Sequence, residues 1–203
     1  MKRRQFLEIS TALATLLSTN ASFASALAPI KNIGIQLFSL PKLLETDFEK
    51  AIQLLSVMGY REIEMYGPFP FSAEAAKKSW AHVTPSLGFS GSGYFGYAAT
   101  EVRDIFKQYK MRVPSVHTDY ETLQTNMDRL AEASSVLGFE YVVLPSIPQE
   151  KRRTLDDYKR VADDFNKIGE RAKQHDLKFA YHNHGYGFHE MEGKIPVTML
   201  FEM

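Results

Sequence analysis

The 203-residue sequence predicts an α/β fold built on a parallel sheet. Three observations carry this. Short β-rich runs alternate with amphipathic runs through five consecutive units, the pattern that lays helices over a parallel sheet. The run Tyr141-Val142-Val143-Leu144-Pro145 is apolar enough to be buried on both faces, as parallel strands are. The helical runs open on hydroxyl and carboxylate caps, and two of them close on glycine.

The first strand is expected at Ile33-Gly34-Ile35-Gln36-Leu37-Phe38. Thr46-Asp47-Phe48-Glu49 then reads as a capping box for a helix with Phe48, Ala51, Ile52, Leu55 and Met58 at helical spacing, ending near Gly59. Arg61-Glu62-Ile63-Glu64-Met65 is the second strand. A long connection follows, with a short helix around residues 73–80 and a glycine-rich run from Gly88 to Tyr97. Thr100 is the expected cap of a helix carrying Val102, Ile105, Phe106 and Tyr109 on one face. Val113-Pro114-Ser115-Val116-His117 is the third strand. Thr125 and Asp128 open a helix ending at Gly138, and the fourth strand follows at residues 141–145. Thr154 and Asp157 open a long helix, Leu177-Lys178-Phe179-Ala180-Tyr181-His182 is the fifth strand, and residues 195–203 begin a further helix.

Two architectures make such units: an open doubly wound sheet and the (β/α)8 TIM barrel. A doubly wound nucleotide binder carries a glycine fingerprint after its first strand. Here that strand runs into Ser39-Leu40-Pro41-Lys42. Gly91-x-Gly93-x-x-Gly96 has the letters of the fingerprint but follows no strand. The expectation is therefore an incomplete TIM barrel, with about five of its eight βα units, since a whole barrel takes about 250 residues.

Composition narrows the function. Lys+Arg and Asp+Glu are 24 each, so net charge is zero and no basic stripe suggests nucleic acid. The absence of cysteine excludes disulfides and thiolate chemistry. Lys2-Arg3-Arg4-Gln5-Phe6-Leu7, an apolar run too short to span a bilayer, and Ala24-Ser25-Ala26 together read as an export signal of twin-arginine type. The expected organisation is a signal peptide over residues 1–28, a barrel portion over 29–203, and a periplasmic or secreted mature chain without a membrane span.

In a parallel barrel the site lies at the C-terminal ends of the strands. Those ends carry Gln36 and Ser39, Glu64, His117, and His182-Asn183-His184. His182 and His184, two apart on a strand, share a face, and neutral imidazole is a common ligand for divalent metals. Glu64 reads as base or ligand, and His117 as a proton shuttle or a partner for a substrate hydroxyl. Tyr94 and Tyr97, on the glycine-rich loop, are candidate sugar-stacking residues or pins for the loop. His175 suits a helix C-terminus, His82 falls in the long connection, His189 and Lys151-Arg152-Arg153 read as solvated.

Ile33-Gly34-Ile35-Gln36-Leu37-Phe38-Ser39-Leu40, Gly59-Tyr60-Arg61-Glu62-Ile63-Glu64 and Tyr181-His182-Asn183-His184-Gly185-Tyr186-Gly187-Phe188 resemble the first, second and fifth strand segments of the xylose-isomerase-like sugar phosphate isomerase/epimerase family. The resemblance covers roughly residues 31–203. It implies a divalent metal (Mn, Mg, Co or Zn) at the barrel mouth and proton transfer beside a sugar carbonyl. In that family a carboxylate ligand comes from the fifth strand, where this chain has His182, and the remaining Asp, His and Glu ligands come from strands six to eight, past Met203. The implied roles are Glu64, His117 and His184 as catalytic residues, Gln36, Tyr94, Tyr97 and Asn183 on the substrate, and His182 on the metal.

Two functions of different kind follow. One is an exported sugar isomerase, epimerase or related lyase acting on a small sugar. The alternative is a non-catalytic carbohydrate-binding or degenerate barrel module. A third, kinship with barrel endonucleases, is disfavoured by the zero net charge. A five-stranded open sheet also exposes edges, so self-association is expected.

Overall fold

The computed structural model describes residues 32–201, and the expected signal peptide lies outside them. Five strands alternate with helices: β1 (Gly34–Gln36), β2 (Glu62–Tyr66), β3 (Arg112–His117), β4 (Tyr141–Leu144) and β5 (Lys178–Tyr181). All pair in parallel, in the order β1-β2-β3-β4-β5. Sequential order with a helical crossover at every step is the arrangement of a partial βα barrel. Residues from Ile33 onward belong to one unit. Among the described residues, no helix is long and apolar enough to cross a membrane.

The crossovers are α1 (Pro41–Thr46) and α2 (Phe48–Val57), α3 (Glu74–Leu87) and α4 (Ala99–Gln108), α5 (Tyr120–Thr125) and α6 (Met127–Leu137), and α7 (Leu155–Gln174). Ile63, Met65, Val116, Val142 and Leu144 on the strands meet Ile52, Leu55, Val102, Leu130 and Val161 on the helices in one core, each at most 1% exposed. Burying each such side chain contributes about 1.5–3 kcal/mol relative to exposure. The opposite strand face carries Gln36, Glu64 and Ser115, and the register places Gln36 beside Glu64 and Glu64 beside Ser115.

Several local expectations are corrected. β1 ends at Gln36 because the chain turns into a 3-10 helix at Leu37–Ser39, with the Gln36 side chain accepting from the Phe38 N–H. Asp47, not Thr46, caps α2, accepting from Lys50 N at 3.0 Å, while Thr46 closes α1 by bonding the Lys42 carbonyl. At α4 the cap position is Ala98, whose N–H bonds the Glu101 carboxylate at 2.7 Å, and Thr100 lies inside the helix. Thr125 ends α5 instead of opening α6. The Thr154/Asp157 capping box forms as read, with reciprocal bonds of 3.1 and 2.9 Å. The helix expected to end near residue 80 continues through His82 and Pro85 to Leu87. Residues 196–200 form a 3-10 turn in place of the expected helix start.

Candidate active site

The C-terminal ends of the strands surround a cavity of about 620 Å³. That volume suits a drug-sized ligand and exceeds what one sugar ring fills. Gln36 from β1, His117 from β3 and His182 and His184 just past β5 line its polar side. With Ser39, which also lines it, the structure brings together five of the residues read from the strand ends.

Below them is an ordered chain of contacts. Gln36 Oε1 is held by the Phe38 N–H, which turns the amide nitrogen toward His117 Nδ1 at 3.2 Å. An amide nitrogen only donates, so Nδ1 accepts and the imidazole proton sits on Nε2. Nε2 faces Glu64 Oε1 at 2.9 Å. The carboxylate lies off the N–H direction, so Nε2 is close to a charge without an aligned acceptor. Glu64 Oε2 accepts from Ser115 Oγ at 2.6 Å. Burial pushes the Glu64 pKa up, but the contacts from His117 and Ser115, with the charges of His117 and His182, outweigh it and hold the carboxyl below the ordinary glutamate value. Glu64 is thus an ionised group one layer beneath the mouth. It does not line the cavity itself.

The rings continue above it. His182 meets His117 edge-on at 5.2 Å between centroids and stacks on His184 at 4.8 Å. His184 stacks on Tyr186 at 5.9 Å, and the Arg152 guanidinium lies 3.7 Å from the Tyr186 centroid. Tyr186 is fixed by accepting from Ile147 N at 2.9 Å and by its 3.0 Å contact with the Tyr181 hydroxyl. Arg152, expected to be solvated, is a packing residue that also donates to the Ile147 carbonyl. Partial burial, then the neighbouring charges of His117 and His184, lower the pKa of His182, and Glu64 only partly opposes them. His182 is consequently a neutral imidazole at neutral pH.

Other residues fall elsewhere. Tyr94 is buried against Phe69 and Phe71, away from the cavity, and burial pushes its hydroxyl up to about 12. The turn that puts it there is Gly93, whose φ is +58° and where a Cβ would come within 2.7 Å of the Pro68 carbonyl oxygen. Tyr97 packs on Phe48 outside the cavity. Asn183 alternates away from His182 and His184 and is solvent-exposed. The stacking wall comes from aromatics that the sequence reading did not single out, Phe38, Tyr66 and Trp80, with Phe38 edge-on to Tyr66 at 5.1 Å. Ala76, Trp80 and Val83 fall at helical spacing on α3, a signal that a reading of α3 to its full length would have found.

Among the described residues, the donors at this site do not compose a divalent-metal site. Both Glu64 oxygens are engaged by protein, and His182 and His184 stack face to face instead of converging on one point. Among the described residues, no three His, Asp or Glu side chains form a metal-holding group.

Among solved structures, the chain is similar to a sugar phosphate isomerase/epimerase from Parabacteroides distasonis, at 21% identity and TM-score 0.63, over 87% of this chain and 63% of that one. A second structure of that description from the same organism matches at 20% identity and TM-score 0.64, over 85% and 64%. A xylose isomerase domain containing protein from Salmonella typhimurium matches at 11% identity and TM-score 0.51, over 74% and 48%. At these identities the likeness shows the fold, and the chain spans less than two thirds of the length of these structures. No protein-family model and no curated protein matches the chain.

Proposed function

We propose that this cavity transfers a proton at a carbon next to the carbonyl of a sugar, the chemistry of an isomerase or epimerase. The observation that carries the reading is the neutral His182 stacked on His184 above the buried Glu64–His117 pair. A general base works best with a pKa near the working pH, and an imidazole whose protonated form is disfavoured is ready to accept.

In the step itself His182 takes the proton from carbon, and the C–H electron pair moves into the adjoining bond as the carbonyl oxygen becomes an enediolate oxygen. The ring N–H of His184, which lines the same cavity, supplies a proton to that oxygen. For isomerisation His182 returns the first proton to the neighbouring carbon while His184 takes the proton of the other enediol hydroxyl, which becomes the new carbonyl. For epimerisation the first proton returns to the other face of the same carbon while His184 takes back the proton it gave. Glu64 and Gln36 are positioning residues: they fix the tautomer and plane of His117, against whose ring His182 rests. The names of the similar structures, sugar phosphate isomerase/epimerase and xylose isomerase domain, support the reaction class. The twin-arginine start supports an exported enzyme.

Incubation with aldoses and ketoses in D2O, followed by proton NMR, tests this. Deuterium entering at the carbon beside the carbonyl, and lost in His182→Asn, is the expected result. Sugar binding without any exchange would sink it. The second reading, a sugar-binding module without turnover, is favoured by the aromatic lining of Phe38, Tyr66 and Trp80, and that same outcome is what it predicts.

A further inference from the structure

We infer that the cavity is built for an uncharged sugar bearing an apolar or aryl substituent, and that it disfavours a sugar phosphate. The inference rests on the proposed sugar chemistry and names its substrate class.

The cavity has two unlike walls. On the polar side two buried atoms have no aligned partner: Nε2 of His117 and Oγ1 of Thr118, the latter in a residue 3% exposed. Both residues line the cavity. A buried hydroxyl left unpaired is costly, so a ligand that supplies hydroxyl groups here recovers that cost. A polyhydroxylated ring does so.

The facing wall is mainly aromatic and apolar, with the hydroxyls of Ser39 and Ser79 as its polar groups. α3 buries none of its residues in the core, yet turns Ala76, Trp80 and Val83 toward the cavity. Phe38 and Tyr66 extend this wall, with Trp80 6.5 and 6.1 Å from them between centroids. The Trp80 Nε1–H is already spent on the Ser90 carbonyl at 2.8 Å, leaving the ring as an apolar surface. Its loop is fixed in turn by Glu45, which accepts from Ser90 N, Ser90 Oγ and Gly91 N. A wall so anchored and so apolar matches a flat hydrophobic group.

Phosphate recognition needs cations or free backbone N–H groups. No Lys or Arg is among the described residues that line the cavity. The helix start at its rim, α5, is closed by its own cap: Asp119 accepts from Thr122 N at 2.8 Å and from Thr122 Oγ1 at 2.5 Å. With Asp119 at the rim and Glu64 below, the nearest fixed charges are negative and repel a phosphate dianion.

Trp80 is the only tryptophan in the chain, so its fluorescence reports directly on this wall. The test titrates the 203-residue chain with methyl and phenyl β-glycosides of glucose, galactose and xylose, and with glucose 6-phosphate and fructose 6-phosphate. The expected result is a phenyl glycoside binding at least about tenfold more tightly than its methyl counterpart, a difference of 1.4 kcal/mol, with both phosphates weaker than either. Val83→Glu, a change at an exposed position, is expected to erase the phenyl preference while circular dichroism stays that of the parent. A sugar phosphate binding most tightly would overturn the inference and leave the proton-transfer reading standing. Phenol binding while no free or derivatised sugar binds would overturn both.

Discussion

Nε2 of His117 lies 2.9 Å from Oε1 of Glu64, and the two residues come from adjacent parallel strands whose register sets Tyr66, not Glu64, beside His117. The carboxylate therefore reaches upward by one layer to meet the ring, and Ser115, its true register partner, holds its other oxygen. This diagonal contact puts a negative charge under the polar wall without placing it in the cavity.

Glu64→Gln removes that charge and keeps the shape. Activity is expected to fall about 10–100-fold, the usual effect of losing a residue that orients a functional histidine, with the circular dichroism spectrum unchanged. Stability carries a second signature. Glu64 has its folded pKa lowered, so its contribution is fully present above the ordinary glutamate value and is lost as pH falls through the folded value. Urea melts of parent and variant should differ at pH 7 and converge toward pH 3; a gap that persists in acid would show that the charge is not the stabilising element.

His182→Asn is expected to cost about 10²–10⁴-fold in exchange rate, the range for a general base. In the parent, the rate should rise with pH through a midpoint below the ordinary histidine value, because burial and the neighbouring imidazoles disfavour its protonated form. His184→Gln takes away one of those charges and should move the midpoint upward. The sign for stability is the same as for a depressed acid: a lowered folded pKa means that stability present above the unfolded pKa is lost on acidification. An NMR titration of the histidine ring protons reads the midpoints, and an unmoved His182 in the His184 variant would refute the coupling.

Tyr186 separates packing from hydrogen bonding. Tyr186→Phe keeps the ring between Arg152 and His184 but loses the bonds to Ile147 N and Tyr181, for about 1 kcal/mol of stability. Tyr186→Leu also loses the cation–π contact, about 0.5–2 kcal/mol more, and frees the His184 ring. Thermal melts should rank the parent above Phe above Leu, and only the Leu variant should weaken the His184 contribution to the His182 midpoint, those of burial and His117 remaining. Equal melts for the two variants would assign the whole effect to the hydroxyl.

What was legible in the sequence follows from periodicity. Strict alternation gave away the parallel order, and the two-residue spacing anticipated the stacking of His182 on His184, although β5 itself ends at Tyr181 and the pair lies just beyond it. Gln36, Glu64 and His117 could be placed at strand ends for the same reason, although the diagonal that sinks Glu64 beneath the mouth depends on a register shift between Glu62 and Glu64 that no local pattern encodes. The aromatic wall was missed because Phe38, Tyr66 and Trp80 come from three separate segments that only the tertiary fold brings together, and Val83 lies past the expected end of its helix. Tyr94 read either as a sugar-stacking residue or as a pin for its loop, and the left-handed turn at Gly93 sends it into the core. Arg152 sits in a basic run whose average character is solvated, and only the tertiary position of Tyr186 gives it a partner.

The sheet edges give the last prediction. β1 and β5 are outermost in the strand order, so each is paired on one side only among the described strands. Parallel strands are ordinarily covered on both faces, and β4 is, apart from Tyr141 at its start; β5 is only half covered at Phe179, Ala180 and Tyr181. At the other edge Ile33 is 54% exposed beside β1. Edges of this kind pair with other copies. Sedimentation velocity of the chain at micromolar concentration should therefore show association that grows with concentration. Ile33→Lys places a charge at the β1 edge without touching the core, since the Ile33 contacts to the sheet run through its backbone carbonyl to Arg61 N and Glu62 N. It should shift the distribution toward monomer. A parent that sediments as a monomer at every concentration, with one sharp melt, would mean that the edges are protected by their own side chains and that association plays no part in holding this sheet.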